Sequence, residues 1–314
     1  MGKYSNSSRS FNTLKHSNRV ERSKRKVQSK YLILSVCVVV IAILLALAVF
    51  LVMASAHSGS PAKNNKNEQE ISYTTQSVAS EELYKGDLQL VNKQHKYRFL
   101  ETSSLVPASS LTTSGVASSG SILVNKDALA AFDSMMKKYV EINETSDVYL
   151  TEAYRTEADQ VGKQFDPGYS DHHTGRLLTI KQKNGNALPS DHWLYQNCYK
   201  YGFVVRYPSG KSAYTGVSDY TYAFRYVGVA HATYMQEHNL CMEEYITLLQ
   251  NNYASGDLLR VDAADGSSYT IYYLRAVEEN ATVSLPSGLP YTASGDNTGG
   301  YIVTVNLGKT ATEE

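Results

Sequence analysis

Three cysteines in 314 residues are too few for a disulfide framework. Cys37 falls inside an apolar run, which leaves Cys198 and Cys241 either to pair or to act as isolated small apolar side chains. Tryptophan occurs once and phenylalanine seven times, no internal repeat is apparent, and the formal net charge is zero. That zero conceals a strong asymmetry. Residues 1–30 carry nine basic side chains against Glu21 alone, a net +8. Residues 31–56 are uncharged, so the remaining chain carries −8. An acidic domain of that size is unsuited to nucleic acid, whose affinity comes from neutralising phosphates. Tyrosine is what the sequence has in excess, with 25 residues.

Leu32 to Val52 form a run of 21 residues without a charge or a proline. A helix of about that length spans the ~30 Å of a bilayer's hydrocarbon, and the run lacks the polar stripe of a water-soluble core helix. The basic flank predicts a cytoplasmic N-terminus and an exported C-terminal domain at the cell membrane. Lysines and arginines beside a membrane also suit anionic lipid. Ala54-Ser55-Ala56 satisfies a small-x-small cleavage pattern, but the run exceeds the 7–15 residues usual for a signal peptide, which favours an uncleaved single-pass anchor.

The expected organisation is a basic cytoplasmic tail (1–30), a transmembrane helix (31–56), a flexible Ser/Asn/Lys/Glu/Thr-rich stalk (57–80), a main domain (81–252) and a β-rich C-terminal extension (253–314). Helical spacing of Leu129, Phe132, Met136 and Val140 predicts a helix over Asn125–Glu144, with Asn125 or Asp127 as cap. Further helices are expected over Ser190–Tyr201, ending at Gly202, and over Met242–Gln250. Val148–Tyr154, Gly175–Ile180, Phe203–Tyr207, Tyr220–Val227, Tyr269–Leu274, Ala281–Leu285 and Tyr301–Leu307 read as extended. Strands and helices segregate instead of alternating, so the fold class is α+β.

Four stretches carry chemistry. They are Glu152-Ala-Tyr-Arg-Thr156 with Gln160; Ser170-Asp-His-His-Thr-Gly175; Trp193 to Phe203, continuing through Arg206-Tyr-Pro208, Lys211 and Thr215-Gly216; and Phe224-Arg-Tyr-Val-Gly228 with His231. In order and spacing, over about Leu83 to Leu249, they resemble the metal-dependent D-alanyl-D-alanine carboxypeptidases of bacterial cell walls, including the vancomycin-resistance type. Leu88 to Lys93 also resembles that family's N-terminal strand. The resemblance implies a Hedgehog/DD-peptidase-like domain acting on peptidoglycan stem peptides. It also implies a zinc ion held by two His and one Asp, with a Glu as general base on the metal-bound water.

Carried over residue by residue, that machinery is mostly missing. The first His ligand falls on His172, the Asp ligand on Thr179, the second His ligand on Ala223 and the base on Tyr220. Zinc takes deprotonated N, O or S donors in a tetrahedral set. Here a hydroxyl and a methyl replace two of the three. Phenols ordinarily titrate near ~10 and make poor bases at neutral pH. No zinc and no catalytic residue is therefore expected in this degenerate member, a pseudoenzyme. Asp171, His173, His192, Asp219, His231 and His238 are the candidates for a shifted ligand set, with Asp219 foremost. His231 reads as a packed or capping histidine, and Arg225 as structural.

For binding, Arg155 matches a family arginine beside the substrate, a role suited to a guanidinium fork. The alternative is an ion pair with Glu152 or Glu157. Gln160, Ser170 and His172 either hydrogen-bond a peptide terminus or satisfy local backbone. Tyr220 and Tyr222 stand where the metal chemistry would be. The expected function is a membrane-anchored module that binds wall peptide or an exported partner protein without hydrolysis. The alternatives are an active zinc D,D- or L,D-carboxypeptidase with shifted ligands, and an interaction protein that docks through its C-terminal extension.

Overall fold

The computed structural model describes residues 71–99, 104–218, 220–254, 256–276 and 281–309. The expected cytoplasmic tail and transmembrane helix lie outside the described residues, as does Asp219. Among the described residues no helix is long and apolar enough to cross a membrane.

Twelve strands occur there: β1 (Ser72–Val78), β2 (Leu105–Pro107), β3 (Leu123–Asn125), β4 (Val148–Glu152), β5 (Leu177–Gln182), β6 (Phe203–Val205), β7 (Ala223–Tyr226), β8 (Leu259–Asp262), β9 (Ser267–Arg275), β10 (Ala281–Ser287), β11 (Tyr291–Gly295) and β12 (Gly300–Lys309). The α-helices are α1 (Lys126–Asn143), the single turn α2 (Glu157–Gln160), α3 (Trp193–Asn197), α4 (Ser212–Thr215), α5 (Val229–Glu237) and α6 (Met242–Asn252).

The site is built on an antiparallel sheet of order β4-β5-β7-β6. Helix α1 starts where the sequence predicts, because the Asn125 carboxamide accepts from the amides of Asp127 and Ala128. Its apolar stripe, with Leu129, Phe132 and Met136, packs on Val148, Leu150, Leu178, Ile180 and Phe224 from one face of the sheet. Alternation along β5 then puts Leu177, Thr179 and Lys181 on the opposite face. There Leu177 and Ala223 join Phe165, Tyr207, Val217 and Tyr220 in a separate small core.

Several expectations change. The predicted stalk ends earlier than residue 80, because Ser72–Val78 pairs antiparallel with β10 and Ser80–Tyr84 forms a 3-10 turn. Leu88 to Lys93 forms no regular strand. It is held at single points, with the Leu90 amide on the Asp296 carbonyl at 3.0 Å and the Leu88 amide on Ser294 Oγ at 2.8 Å. The helix expected over Ser190–Tyr201 starts at Trp193, tightens to 3-10 at Cys198 and stops at Gly202 with φ 81°. Helix α5 was missed, since His231, Thr233 and Ala232 give it no clear apolar stripe.

The C-terminal part is not an appendage. Its sheet, of order β11-β12-β9-β8, turns Ile271, Tyr273 and Ile302 into one core with Leu88, Leu90, Val227, Met235, Tyr245 and Leu249. Gln69–Glu314 is a single compact unit, so the boundary expected at 252/253 cuts through a shared hydrophobic core. The Asn297 side chain adds a clamp, donating to the carbonyls of Leu90 at 2.9 Å and Lys96 at 3.1 Å. Cys198 and Cys241 are both buried free thiols.

Candidate functional site

His172 sits in a 3-10 turn, Asp171–Thr174, and not on a strand. The turn closes at Gly175 with φ 66°, where a Cβ would meet Leu105 Cδ2 at 2.6 Å. The left-handed conformation favours glycine there, and any larger residue would also have to displace the Leu105 side chain. In a 3-10 turn consecutive side chains diverge, and the three neighbours take separate jobs.

Asp171 points into a fully buried ionic cluster. Its Oδ2 accepts from Arg206 Nε at 2.6 Å and its Oδ1 from Arg225 Nε at 3.0 Å. Arg206 also forks onto Glu243 at 3.0 and 2.8 Å. The same two guanidiniums donate to the carbonyls of Val91 and Gln89, both at 3.2 Å. The four charges sum to zero, and together they fix the 88–92 segment over the turn. His173 donates through Nδ1 to the Arg155 carbonyl at 2.7 Å and accepts the Gly168 amide on Nε2 at 2.9 Å. Asp171 and His173 are thus committed to structure and are not substitute ligands.

His172 faces the side of the sheet that carries Thr179 and is completely buried. Its Nδ1–H donates to the Ala153 carbonyl at 2.6 Å, which leaves Nε2 with the lone pair. Burial, with help from the Arg155 guanidinium, pushes its pKa down to about 4, so the ring is neutral. Nε2 meets the Tyr220 hydroxyl at 3.3 Å and Thr179 Oγ1 at 3.4 Å. Thr179 in turn lies directly across the ladder from Ala223. The four positions singled out in the sequence therefore converge. Tyr220 fills the space, stacked on Tyr207 (centroids 5.4 Å, 15°) and edge-on to Tyr222 (4.6 Å, 83°). Tyr207 stacks in turn on Phe165 at 5.8 Å.

A zinc ion does not fit this donor set. Among the described residues, one neutral imidazole, a neutral hydroxyl and a methyl group cannot supply three strong ligands, and no carboxylate takes the place of the base. The other candidate histidines, His192, His231 and His238, do not reach the turn. His192 accepts the Leu194 amide and meets Tyr139; His231 bonds Tyr245 Oη at 2.7 Å and Thr304 Oγ1 at 2.9 Å; His238 is exposed against Tyr234. Among the described residues, no group of three His, Cys, Asp or Glu side chains is placed to hold a metal ion.

Arg155 lies beside His172. A capping box between Thr156 and Asp159 starts α2 and so places Gln160. Gln160 Oε1 takes Arg155 Nη1 at 3.1 Å, while Gln160 Nε2 donates to the Phe165 carbonyl at 2.8 Å. Glu152 pairs with Arg155 Nη2. Burial opposes ionisation of Glu152, but the guanidinium outweighs it and holds the carboxyl below its ordinary range. The ion-pair reading of Arg155 thus holds for Nη2, while Nη1 is taken by the neutral Gln160 carboxamide. Its Nε and the Ser170 hydroxyl are different, since both are buried and make no hydrogen bond among the described residues. A β-bulge in β4 between Leu150 and Glu152 turns the strand end outward here. A cleft of about 440 Å³ opens between Ser121–Leu123 and Thr151–Thr156.

Of the aromatics behind Tyr220, sequence reasoning placed Tyr207 in a motif without giving it a role and missed Phe165, because stacking across three loops leaves no local pattern. It also missed Lys181, which follows Thr179 at the two-residue spacing of one strand face. That alternation was available as a signal.

Comparison with known proteins agrees with this geometry. The family model described as VanY, D-alanyl-D-alanine carboxypeptidase, matches residues 134–229. A D-alanyl-D-alanine carboxypeptidase of Enterococcus faecium is 30% identical over 253 residues, covering 75% of this chain and 80% of its own. The bifunctional D-Ala-D-Ala dipeptidase and D-Ala-D-Ala carboxypeptidase VanXYC of Enterococcus gallinarum is 30% identical over 125 residues, 32% of this chain and 66% of its own. Among solved structures, the vancomycin resistance D,D-dipeptidase VanXYg in complex with a D-Ala-D-Ala phosphinate analog matches with a TM-score of 0.66 and 26% identity, over 75% of this chain and 99% of that one. With the fold, the convergent site positions and the extended match in agreement, this chain belongs to the VanY D-alanyl-D-alanine carboxypeptidase family.

Proposed function

We propose that this family member binds D-Ala-terminated wall peptides without hydrolysing them, from a domain tethered outside the cell membrane by residues 31–56. One observation carries the loss of hydrolysis: Thr179, Ala223 and Tyr220 surround His172 where a metal hydrolase needs two more ligands and a base. Support for retained binding is the pair of buried donors, Arg155 Nε and Ser170 Oγ, that find no partner among the described residues. Such groups cost about 1–3 kcal/mol when left unsatisfied, a cost a ligand oxygen would relieve. A peptide carboxylate or carbonyl is the natural acceptor for a guanidinium and a hydroxyl. The tether rests on the apolar run and its basic flank.

The second reading, an active zinc D,D- or L,D-carboxypeptidase with a shifted ligand set, is favoured by membership of the family itself. One experiment separates the two. The full chain is incubated with isolated peptidoglycan and with a peptide ending in D-Ala-D-Ala, and retention, released D-Ala and bound zinc are measured. The expected result is retention above a denatured control, no released D-Ala and no stoichiometric zinc. Near one zinc per chain together with D-Ala release overturns the proposal.

A further inference from the structure

The sheet face that carries Thr179 continues away from His172 and changes character. Lys181 follows Thr179 on that face, and Tyr149 lies directly across from Lys181 on β4. Lys183 comes next, its amide on the Asp147 carbonyl at 2.8 Å. The two ammonium groups lie over tyrosine rings, Lys181 over Tyr222 at 4.9 Å and Lys183 over Tyr149 at 4.8 Å. Tyr222 is itself edge-on to Tyr220, so this run is continuous with the site.

Its charge is unbalanced. Among the described residues, neither Lys181 nor Lys183 has an ion-pair partner. Of the nearby acids, Glu152 is engaged by Arg155 and by Lys163 at 3.7 Å, and Asp147, which keeps its charge, turns its carboxylate to the Tyr139 hydroxyl at 2.6 Å and not to either lysine. Tyr149, Lys181 and Tyr222 are half-buried and Lys183 is exposed. The ring contacts hold the lysine stems in place without neutralising them, so less side-chain freedom is lost when an anion arrives.

We infer that this Tyr–Lys run receives a carboxylate carried by the bound peptide upstream of its D-Ala end, making the site selective for acidic peptides. The inference rests on the binding reading above. Strand geometry sets the distance. Lys181 and Lys183 lie two and four residues beyond Thr179, about 7 and 13 Å along the sheet. An extended peptide covers the same span in two to four residues.

The test uses the full chain and two fluorescent heptapeptides ending in D-Ala-D-Ala, differing only in Glu or Gln three residues before the D-Ala pair. Binding is followed by fluorescence polarisation for the native chain and for Lys181→Gln/Lys183→Gln, whose melting temperature is checked first. The native chain is expected to bind the Glu peptide roughly twofold to fivefold more tightly, in keeping with partly exposed ion pairs. That preference should vanish in the double variant and shrink at about 0.5 M salt. Equal binding of the two peptides by the native chain, or an unchanged preference in the double variant, overturns the inference while leaving recognition of the D-Ala end intact. Binding of neither peptide overturns the reading on which it rests.

Discussion

Restoring the donors should restore the metal. On a tetrahedral zinc with bonds of about 2.0–2.1 Å, neighbouring donors lie roughly 3.3–3.4 Å apart. His172 Nε2 lies 3.3 Å from the Tyr220 oxygen and 3.4 Å from Thr179 Oγ1. The Thr179 position thus keeps a ligand's spacing from His172, and the Tyr220 oxygen stands beside it where the base would be, after the chemistry has gone. The triple substitution Thr179→Asp, Ala223→His and Tyr220→Glu returns two ligands and a base while removing the ring that fills the space. At free zinc one hundred times Kd, binding adds about 2.7 kcal/mol of stability. In a unit of this size each kcal/mol raises Tm by roughly 2–4 °C, so the variant should gain about 5–11 °C on zinc addition. The native chain should gain nothing. Scanning fluorimetry with and without zinc, alongside metal analysis of the dialysed proteins, measures both. Stoichiometric zinc in the native chain would refute the coordination argument. A folded triple variant that takes up no zinc would show that the four positions do not converge as described.

Three further outcomes follow from the packing. Asp171→Ala leaves Arg206 and Arg225 buried without their shared carboxylate and should destabilise the fold by about 3–5 kcal/mol, read by chemical denaturation. Burial pushes the His231 pKa down to about 4, with Asp87 opposing weakly. The unfolded state therefore binds the proton first, and stability that is complete above about pH 6.5 declines as pH falls toward 4. The loss should reach about 3 kcal/mol for this group, and His231→Gln should make the fall of the urea midpoint across that window shallower, leaving the part that His172 contributes over the same range. Ending the chain at Asn252 strips Ile271, Tyr273 and Ile302 from the core they share with Leu88, Met235 and Leu249. The truncated protein should aggregate or lose its cooperative melt; a monomer with a sharp melt by size exclusion and circular dichroism would refute the shared core.

What the sequence determined by itself is what local chemistry and motif spacing encode. Helix α1 follows from one apolar stripe and the Asn125 cap. The loss of donors at Thr179, Ala223 and Tyr220 could be read from register with Ser170-Asp-His-His-Thr-Gly175, because ligand identity is a property of residue type. Tertiary structure decided the rest. Nothing local distinguishes Asp171 from His172 as a possible ligand; only the arrival of Arg206 and Arg225 from 35 and 54 residues away commits Asp171 to an ion cluster. Ser72–Val78 looks like linker because its partner strand is about 200 residues distant. The C-terminal sheet looks separable until its inner face is seen completing the core around α5 and α6. Side-chain alternation marks a strand face, but which face becomes core and which becomes cleft is fixed by what packs against it.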